Sequence, residues 1–182
     1  SRANVLRPHI AGNLLVWLSD SQPDIVCLQE IKSVDDQFPR LEIEALGYHV
    51  ETHGQKGFNG VAILSKYRFD EVNRGLPGEN GDEQSRFIEG VFSTEKGVLR
   101  VVSLYLPNGN PIGTEKFSYK LAWMERLEQW AAERLKLEEP LILGGDYNVI
   151  PEPVDAKNPA AWVNDALFQP ESRRAFRRLC NL

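Results

Sequence analysis

The stretch Leu141-Ile-Leu-Gly-Gly-Asp-Tyr-Asn-Val-Ile-Pro151 decides how the rest of this sequence is read. Three aliphatic residues, Leu141 to Leu143, have the length and character of a buried strand. Two glycines follow, and then an acid and an amide two positions apart, Asp146 and Asn148. In an extended path, residues two apart project to the same side, so these two polar groups face one target. The flanking glycines admit close approach of a ligand or of other backbone. Gly, Asp and Asn are also ordinary turn residues, and on this segment alone a plain turn explains it equally well.

Outward from that strand, the pattern alternates between apolar runs and helical spacing. Upstream, Lys120 to Leu137 places Leu121, Met124, Leu127, Ala131 and Leu135 on one side, a stripe that reads as core. Phe87 to Phe92 and Val98 to Leu104 flank Glu95-Lys96-Gly97 and predict a hairpin, whose second strand opens into the rigid polar loop Tyr105 to Pro111. Val61 to Leu64 is a strand entered from the glycine-bounded loop Gln55 to Gly60. Ile25 to Leu28 is another, ended by Gln29-Glu30, and Tyr48 to Thr52 a further one. Helices are expected from His9 to Leu18, with Pro8 in the first turn, and from Asp35 to Leu46, stopped by Gly47. Gly75 to Gln84 is an acidic loop. Pro151 to Pro170 has four prolines and no sustained period, which predicts a long functional loop. Arg173, Arg174, Arg177 and Arg178 follow on a helix whose buried side is Ala175, Phe176 and Leu179; a solvated helix face accounts for them without any ligand.

The totals fit one domain over residues 1–182, with 42% hydrophobic and 26% charged residues. A net charge of −5 argues against non-specific coating of nucleic acid, but leaves room for a nuclease with a local cationic surface beside an acidic metal site. No apolar run approaches the ~20 residues of a membrane span, and Ser1-Arg2-Ala3-Asn4 begins no signal peptide. Cys27 and Cys180 have neither paired nor zinc-like spacing, which places free thiols in a reducing compartment and makes cytoplasm the expected location.

Three apolar strands therefore end alike. Ile25–Leu28 delivers Glu30, Val101–Leu104 delivers Tyr105 and Asn108, and Leu141–Leu143 delivers Asp146 and Asn148. Ligands of α/β sheets gather beyond the carboxyl ends of strands. Two carboxylates, two amides and a phenol there form a hard oxygen-rich set, suited to Mg²⁺ with Mn²⁺ as substitute and to a phosphate substrate. Each residue also has a plain reading: Glu30 as a helix-start acid, Tyr105 as a core ring with its hydroxyl at the surface.

These residues sit in motifs that resemble the exodeoxyribonuclease III and apurinic/apyrimidinic (AP) endonuclease family of the endonuclease/exonuclease/phosphatase superfamily. The motifs are Leu28-Gln29-Glu30-Ile31-Lys32, Gly54-Gln55-Lys56-Gly57-Phe58-Asn59-Gly60-Val61-Ala62-Ile63-Leu64-Ser65, Ser85-Arg86-Phe87-Ile88-Glu89, Tyr105-Leu106-Pro107-Asn108-Gly109 and Gly145-Asp146-Tyr147-Asn148. The last marks only the superfamily; with the tyrosine loop and the Gln-Lys-Gly-Phe-Asn-Gly segment it points to the DNA-repair branch rather than to sphingomyelinases or inositol-phosphate phosphatases. The resemblance implies a four-layer α/β/β/α sandwich (DNase I-like). It further implies Mg²⁺-dependent phosphodiester hydrolysis 5′ to abasic sites and 3′→5′ trimming of duplex DNA; a monomer is the default expectation. By similarity, Glu30 holds the metal together with Asp146 and Asn148. Asp146 orients or deprotonates the attacking water, Asn148 stabilises the phosphate and Tyr105 stands beside it. Asn108, Lys56, Asn59, Asn164 and Arg174 contact the substrate.

The resemblance also implies a first strand ending in a metal-binding asparagine, for which Asn4 is a poor substitute, and later strands carrying an aspartate and an Asp-His pair. None of His9, His49 and His53 follows the motifs in family order. The expectation is a fold incomplete at both ends, with the 182-residue chain alone inactive. Two other readings stay open: a DNA-binding but non-cleaving fragment, and a phosphodiesterase acting on a small phosphate ester.

Overall fold

The computed structural model describes residues 8–182, with side chains from residue 12 onward. Asn4 and the side chains of His9 and Ile10 lie outside the described residues. The chain divides into two compact units: Ser1–Gly75, Glu79–Tyr105 and Glu139–Gly145 form the first, and Leu76–Gly78, Leu106–Glu138 and Asp146–Leu182 the second.

The first unit is built on two sheets. Strands β1 (Ile25–Gln29), β2 (His49–His53) and β3 (Val61–Ser65) make one, in the order β1-β3-β2, all antiparallel. Strands β4 (Glu71–Arg74), β5 (Phe87–Thr94), β6 (Gly97–Tyr105) and β7 (Leu141–Asp146) make the other, in sequence order. Every residue of β3 is buried because both of its faces are covered. Its alternation divides the interior: Ala62 and Leu64 point into a core with Leu18, Val26, Ile31, Phe38, Ile43, Tyr48 and Val50, while Val61 and Ile63 join Ile88, Phe92 and Val101 between the sheets. Helices α1 (Pro8–Ser21) and α2 (Arg40–Glu44) cover the outer side of the three-stranded sheet through Leu14, Leu15, Leu18 and Ile43.

Several elements differ from the sequence expectation. The helix expected from Asp35 to Leu46 is split into a 3₁₀ turn, Asp35–Gln37, and α2, because Phe38 precedes Pro39 and takes an extended conformation (φ −70°, ψ 137°). Proline disfavours the helical region for the residue before it. Strand β4 was not expected; its sequence, Glu-Val-Asn-Arg, has a single apolar residue and reads as loop until β5 supplies the ladder. Strand β7 is only half-buried, with Ile142 51% exposed, since β6 is its one neighbour among the described residues. It runs parallel to β6: Pro140 accepts from the Arg100 N–H at one end (3.0 Å), and Gly145 lies against the Leu104 carbonyl at the other.

The second unit holds α3 (Glu115–Leu135) and α4 (Pro170–Cys180) with the segment between β7 and α4. Helix α3 starts five residues before the expected Lys120, capped by Thr114, whose side chain accepts from the Lys116 N–H. Its buried stripe is Lys120, Trp123, Met124, Leu127, Trp130 and Ala131; Leu135, counted as core from spacing, is exposed. The proline-rich segment contains three 3₁₀ turns, at Pro153–Asp155, Pro159–Trp162 and Ala166–Phe168. Among the described residues no helix is long and apolar enough to cross a membrane. Cys27 and Cys180 are free thiols, as their spacing implies; burial pushes the Cys27 thiol up to about 11.

Candidate active site

In the first unit, strand direction places the polar residues. Contacts from β1 to β6 advance together: Cys27 lies against the Val102 carbonyl (3.8 Å), Leu28 accepts from the Ser103 hydroxyl (2.9 Å), and the Gln29 amide donates to Ser103 Oγ (3.1 Å). The strands thus run the same way in facing sheets, and their carboxyl ends deliver Glu30 and Tyr105 to one end of the sandwich. Glu30 has a left-handed backbone (φ 52°), as does Asn59 (φ 51°). Two bonds clip their segments together, from the Ile31 N–H to the Gly60 carbonyl (3.2 Å) and from the Lys32 N–H to the Asn59 carbonyl (2.9 Å). The clip needs Gly60, where a Cβ would fall 2.5 Å from the Ile31 side chain. Lys32 Nζ stands 3.4 Å from the Glu30 carboxylate.

Around that clip, the Asn59 amide donates to Gln55 Oε1 (3.1 Å), which also accepts the Ser85 N–H (2.9 Å). Lys56 is exposed on the same loop, next but one to Phe58, which is 72% exposed. Tyr105 is half-buried. The Arg86 guanidinium sits 4.9 Å from the centre of its ring and donates to its backbone carbonyl (3.2 Å). Arg86 stood in a quoted motif without a role; a cation over a phenol ring fixes that ring and favours it electrostatically.

In the second unit, Asp146 and Asn148 share one turn. Asp146 Oδ1 accepts the Asn148 N–H (3.0 Å), Asn148 has a left-handed backbone (φ 46°), and its amide Nδ2 donates to the Leu106 carbonyl (2.8 Å). The Leu106 N–H in turn donates to the Asp146 carbonyl (2.9 Å), which draws the Asn108 loop to the same place. Asn108 is exposed, with its Oδ1 accepting from both nitrogens of Asn110 (3.1 and 2.7 Å). The turn expected of this stretch is therefore present, and it holds the acid and the amide two residues apart.

Spacing gave no role to Lys120. Its side chain is fully buried, and its ammonium donates to the Asn108 carbonyl (3.1 Å) and the Asn148 carbonyl (2.5 Å). Burial pushes it down to about 8, partly offset by Asp165 and Asp146. A lysine in register with Trp123, Met124 and Leu127 was the signal available in the sequence.

Asn164 is exposed in the turn before Asp165. Arg174, on α4, is exposed and lies 3.9 Å from Glu171. The other arginines are engaged elsewhere in the unit: Arg173 and Arg177 with Glu152, and Arg178 with Glu128 (3.1 Å). Behind Asp146, burial pushes the Tyr147 phenol up to about 12, and the ring packs edge-on against Phe176, 5.6 Å between centres.

The residues put forward thus fall into two sets, Glu30, Tyr105, Lys56 and Asn59 in the first unit and Asn108, Asp146, Asn148, Asn164 and Arg174 in the second. Among the described residues no group of three His, Cys, Asp or Glu side chains could hold a metal ion. Mg²⁺ asks for less than that: one or two carboxylate oxygens, with water and phosphate completing the shell. Glu30, a half-buried carboxylate at a strand end, fits as such a donor.

The pattern of the Endonuclease/Exonuclease/phosphatase family matches residues 4–179. Exodeoxyribonuclease III of Haemophilus influenzae is 37% identical over 180 residues, which are 95% of this chain and 66% of that protein. An AP endonuclease from Archaeoglobus fulgidus superposes with a TM-score of 0.85 at 36% identity, over 92% of this chain and 63% of that one. A 3′ phosphatase, NExo from Neisseria, bound to a product DNA hairpin, gives a TM-score of 0.90 at 30% identity, over 98% and 67%. The chain spans just under two thirds of the length of the Haemophilus protein it matches. The mixed α/β fold with two sheets is the fold of these AP endonuclease and exonuclease structures, as the motifs implied. By its sequence pattern and its fold, the chain belongs to the endonuclease/exonuclease/phosphatase family.

Proposed function

We propose that the protein carrying this chain is a DNA-repair nuclease of exodeoxyribonuclease III type, which hydrolyses duplex DNA 5′ to abasic sites and trims 3′ ends. The observation that carries the reading is the Asp146–Asn148 turn: a carboxylate that accepts the Asn148 backbone N–H, and a side-chain amide that donates to the Leu106 carbonyl. The relatives named exodeoxyribonuclease III and AP endonuclease, and the neighbour bound to a DNA hairpin, support DNA as the substrate.

In this reading Asp146 aligns the attacking water and takes its proton. The new bond joins the water oxygen to phosphorus, and the bond to the 3′ oxygen of the preceding sugar breaks, leaving a 3′ hydroxyl and a 5′ phosphate. The Asn148 amide spends one N–H on the Leu106 carbonyl and has a second to give to a phosphoryl oxygen. Tyr105, steadied by Arg86, donates from the phenol; Asn108, Lys56, Asn59, Asn164 and Arg174 place the backbone without reading sequence. Glu30 would hold Mg²⁺, which when bound neutralises charge on the phosphoryl oxygens.

The test is incision of a duplex with a tetrahydrofuran abasic mimic by the purified protein in Mg²⁺. Incision should vanish in EDTA and return with Mg²⁺ or Mn²⁺. Asp146→Asn should lower kcat by at least about 10³-fold while the affinity for the duplex holds. Turnover retained in that variant refutes the role of Asp146, and preference for an inositol or lipid phosphate over DNA refutes the substrate.

A further inference from the structure

We infer that Lys120 is a positioning residue of the hydrolytic centre, its ammonium group setting the backbone geometry from which Asn108 and Asn148 address a phosphate. The inference rests on the function proposed above. It starts from a misfit: α3 buries an aliphatic and aromatic stripe, and in that stripe one position is a lysine with no exposed surface. An isolated buried charge is strongly disfavoured, so a lysine that is kept there must be well bonded. Its two acceptors are the main-chain carbonyls of Asn108 and Asn148, at 3.1 and 2.5 Å. These residues belong to different loops, 40 positions apart, and are two of the groups proposed to touch the phosphate.

The surrounding loops are shaped to the lysine. Gly109 has φ +84°, and a Cβ there would fall 2.5 Å from Lys120 Cδ, so the lysine stem fills the space a side chain would take. The far side of the Asn108 loop is fastened separately. Asn110, which donates to Asn108, also donates to Asp165 (3.1 Å) and accepts the Ala166 N–H (2.8 Å). The Asn148 side chain is fastened to the Leu106 carbonyl. Each asparagine is thus held by its side chain on one side and by Lys120 through its carbonyl on the other. A carbonyl fixes its own residue's backbone and leaves the side-chain amide to the substrate. A carboxylate partner would have bonded the cation without orienting either asparagine.

The test uses the full-length protein and Lys120→Met, which keeps the length and apolar stem and removes the donors. Steady-state incision of the abasic duplex is expected to lose roughly 10- to 100-fold in kcat, with KM within about threefold of wild type. Hydrogen–deuterium exchange is expected to rise in peptides covering 106–110 and 146–150 and to stay unchanged in the two sheets. If the methionine variant does not fold, Lys120→Gln, too short to span both carbonyls, should show the same split. Unchanged kcat and unchanged exchange in the two loops overturn the inference, and so does exchange raised evenly through the chain, which marks a merely structural lysine. If the wild-type protein does not incise DNA, the proposed function fails instead. The exchange data then still decide whether Lys120 holds the two loops.

Discussion

Three of the residues picked out from sequence share a backbone property that sequence could not show. Glu30, Asn59 and Asn148 all have φ near +50°, a region that costs a non-glycine residue of order 1–3 kcal/mol. Asparagine tolerates it best; glutamate does not, and Glu30 holds it because the bonds at Ile31 and Lys32 determine the segment on both sides. Gly145 is a constraint of another kind: a Cβ there would fall 2.0 Å from the Leu104 carbonyl oxygen. Gly145→Ala should therefore destabilise the protein by about 1–3 kcal/mol or more, read as a lower urea midpoint. Gly12→Ala, where a Cβ meets nothing within 4 Å on the exposed side of α1, should instead stabilise by up to about 1 kcal/mol. Equal effects at the two positions would show that the close approach of β7 to Leu104 is not what requires glycine. Asp146, Asn148, Glu30 and Tyr105 stand out in the sequence because polar residues after an apolar run are conspicuous. Lys120 does not, because spacing rules assign a lysine in a helix to its solvated face, and only burial reveals the exception.

At the level of elements, strand cores and the β5–β6 hairpin were readable from composition alone, whereas element ends and the long segment after Pro151 were not. That segment has no period because it is not one element. Its order comes from α4, where Arg173 lies 5.0 Å from the Phe168 ring centre, donates to the Pro151 carbonyl (2.9 Å) and meets Glu152 together with Arg177. The arginine cluster, read from sequence as either a solvated face or a DNA contact, is thus in part a clasp for its own chain. Arg173→Ala should speed proteolysis within 151–168 several-fold and leave cleavage elsewhere unchanged. An unaltered digestion pattern would mean that the three 3₁₀ turns order the segment by themselves. The split at Pro39 and the appearance of β4 have a common cause. Local pattern proposes an element, and a neighbouring residue or strand decides whether it forms.

At the scale of the whole molecule, the sequence motifs implied a two-sheet α/β fold and the structure has it, because alternation along β1 and β3 assigns each side chain to one of two cores. In the proposed reaction, water attacks phosphorus on the 5′ side of an abasic residue. Incision of the abasic duplex by the full-length protein in ¹⁸O-labelled water, with the fragments weighed by mass spectrometry, measures this directly. The expected products are a 3′-hydroxyl fragment without label and a 5′-phosphate fragment carrying one ¹⁸O. Uncut duplex, or cleavage that leaves a 3′ phosphate or puts no label on the 5′ phosphate, would contradict the proposed reaction.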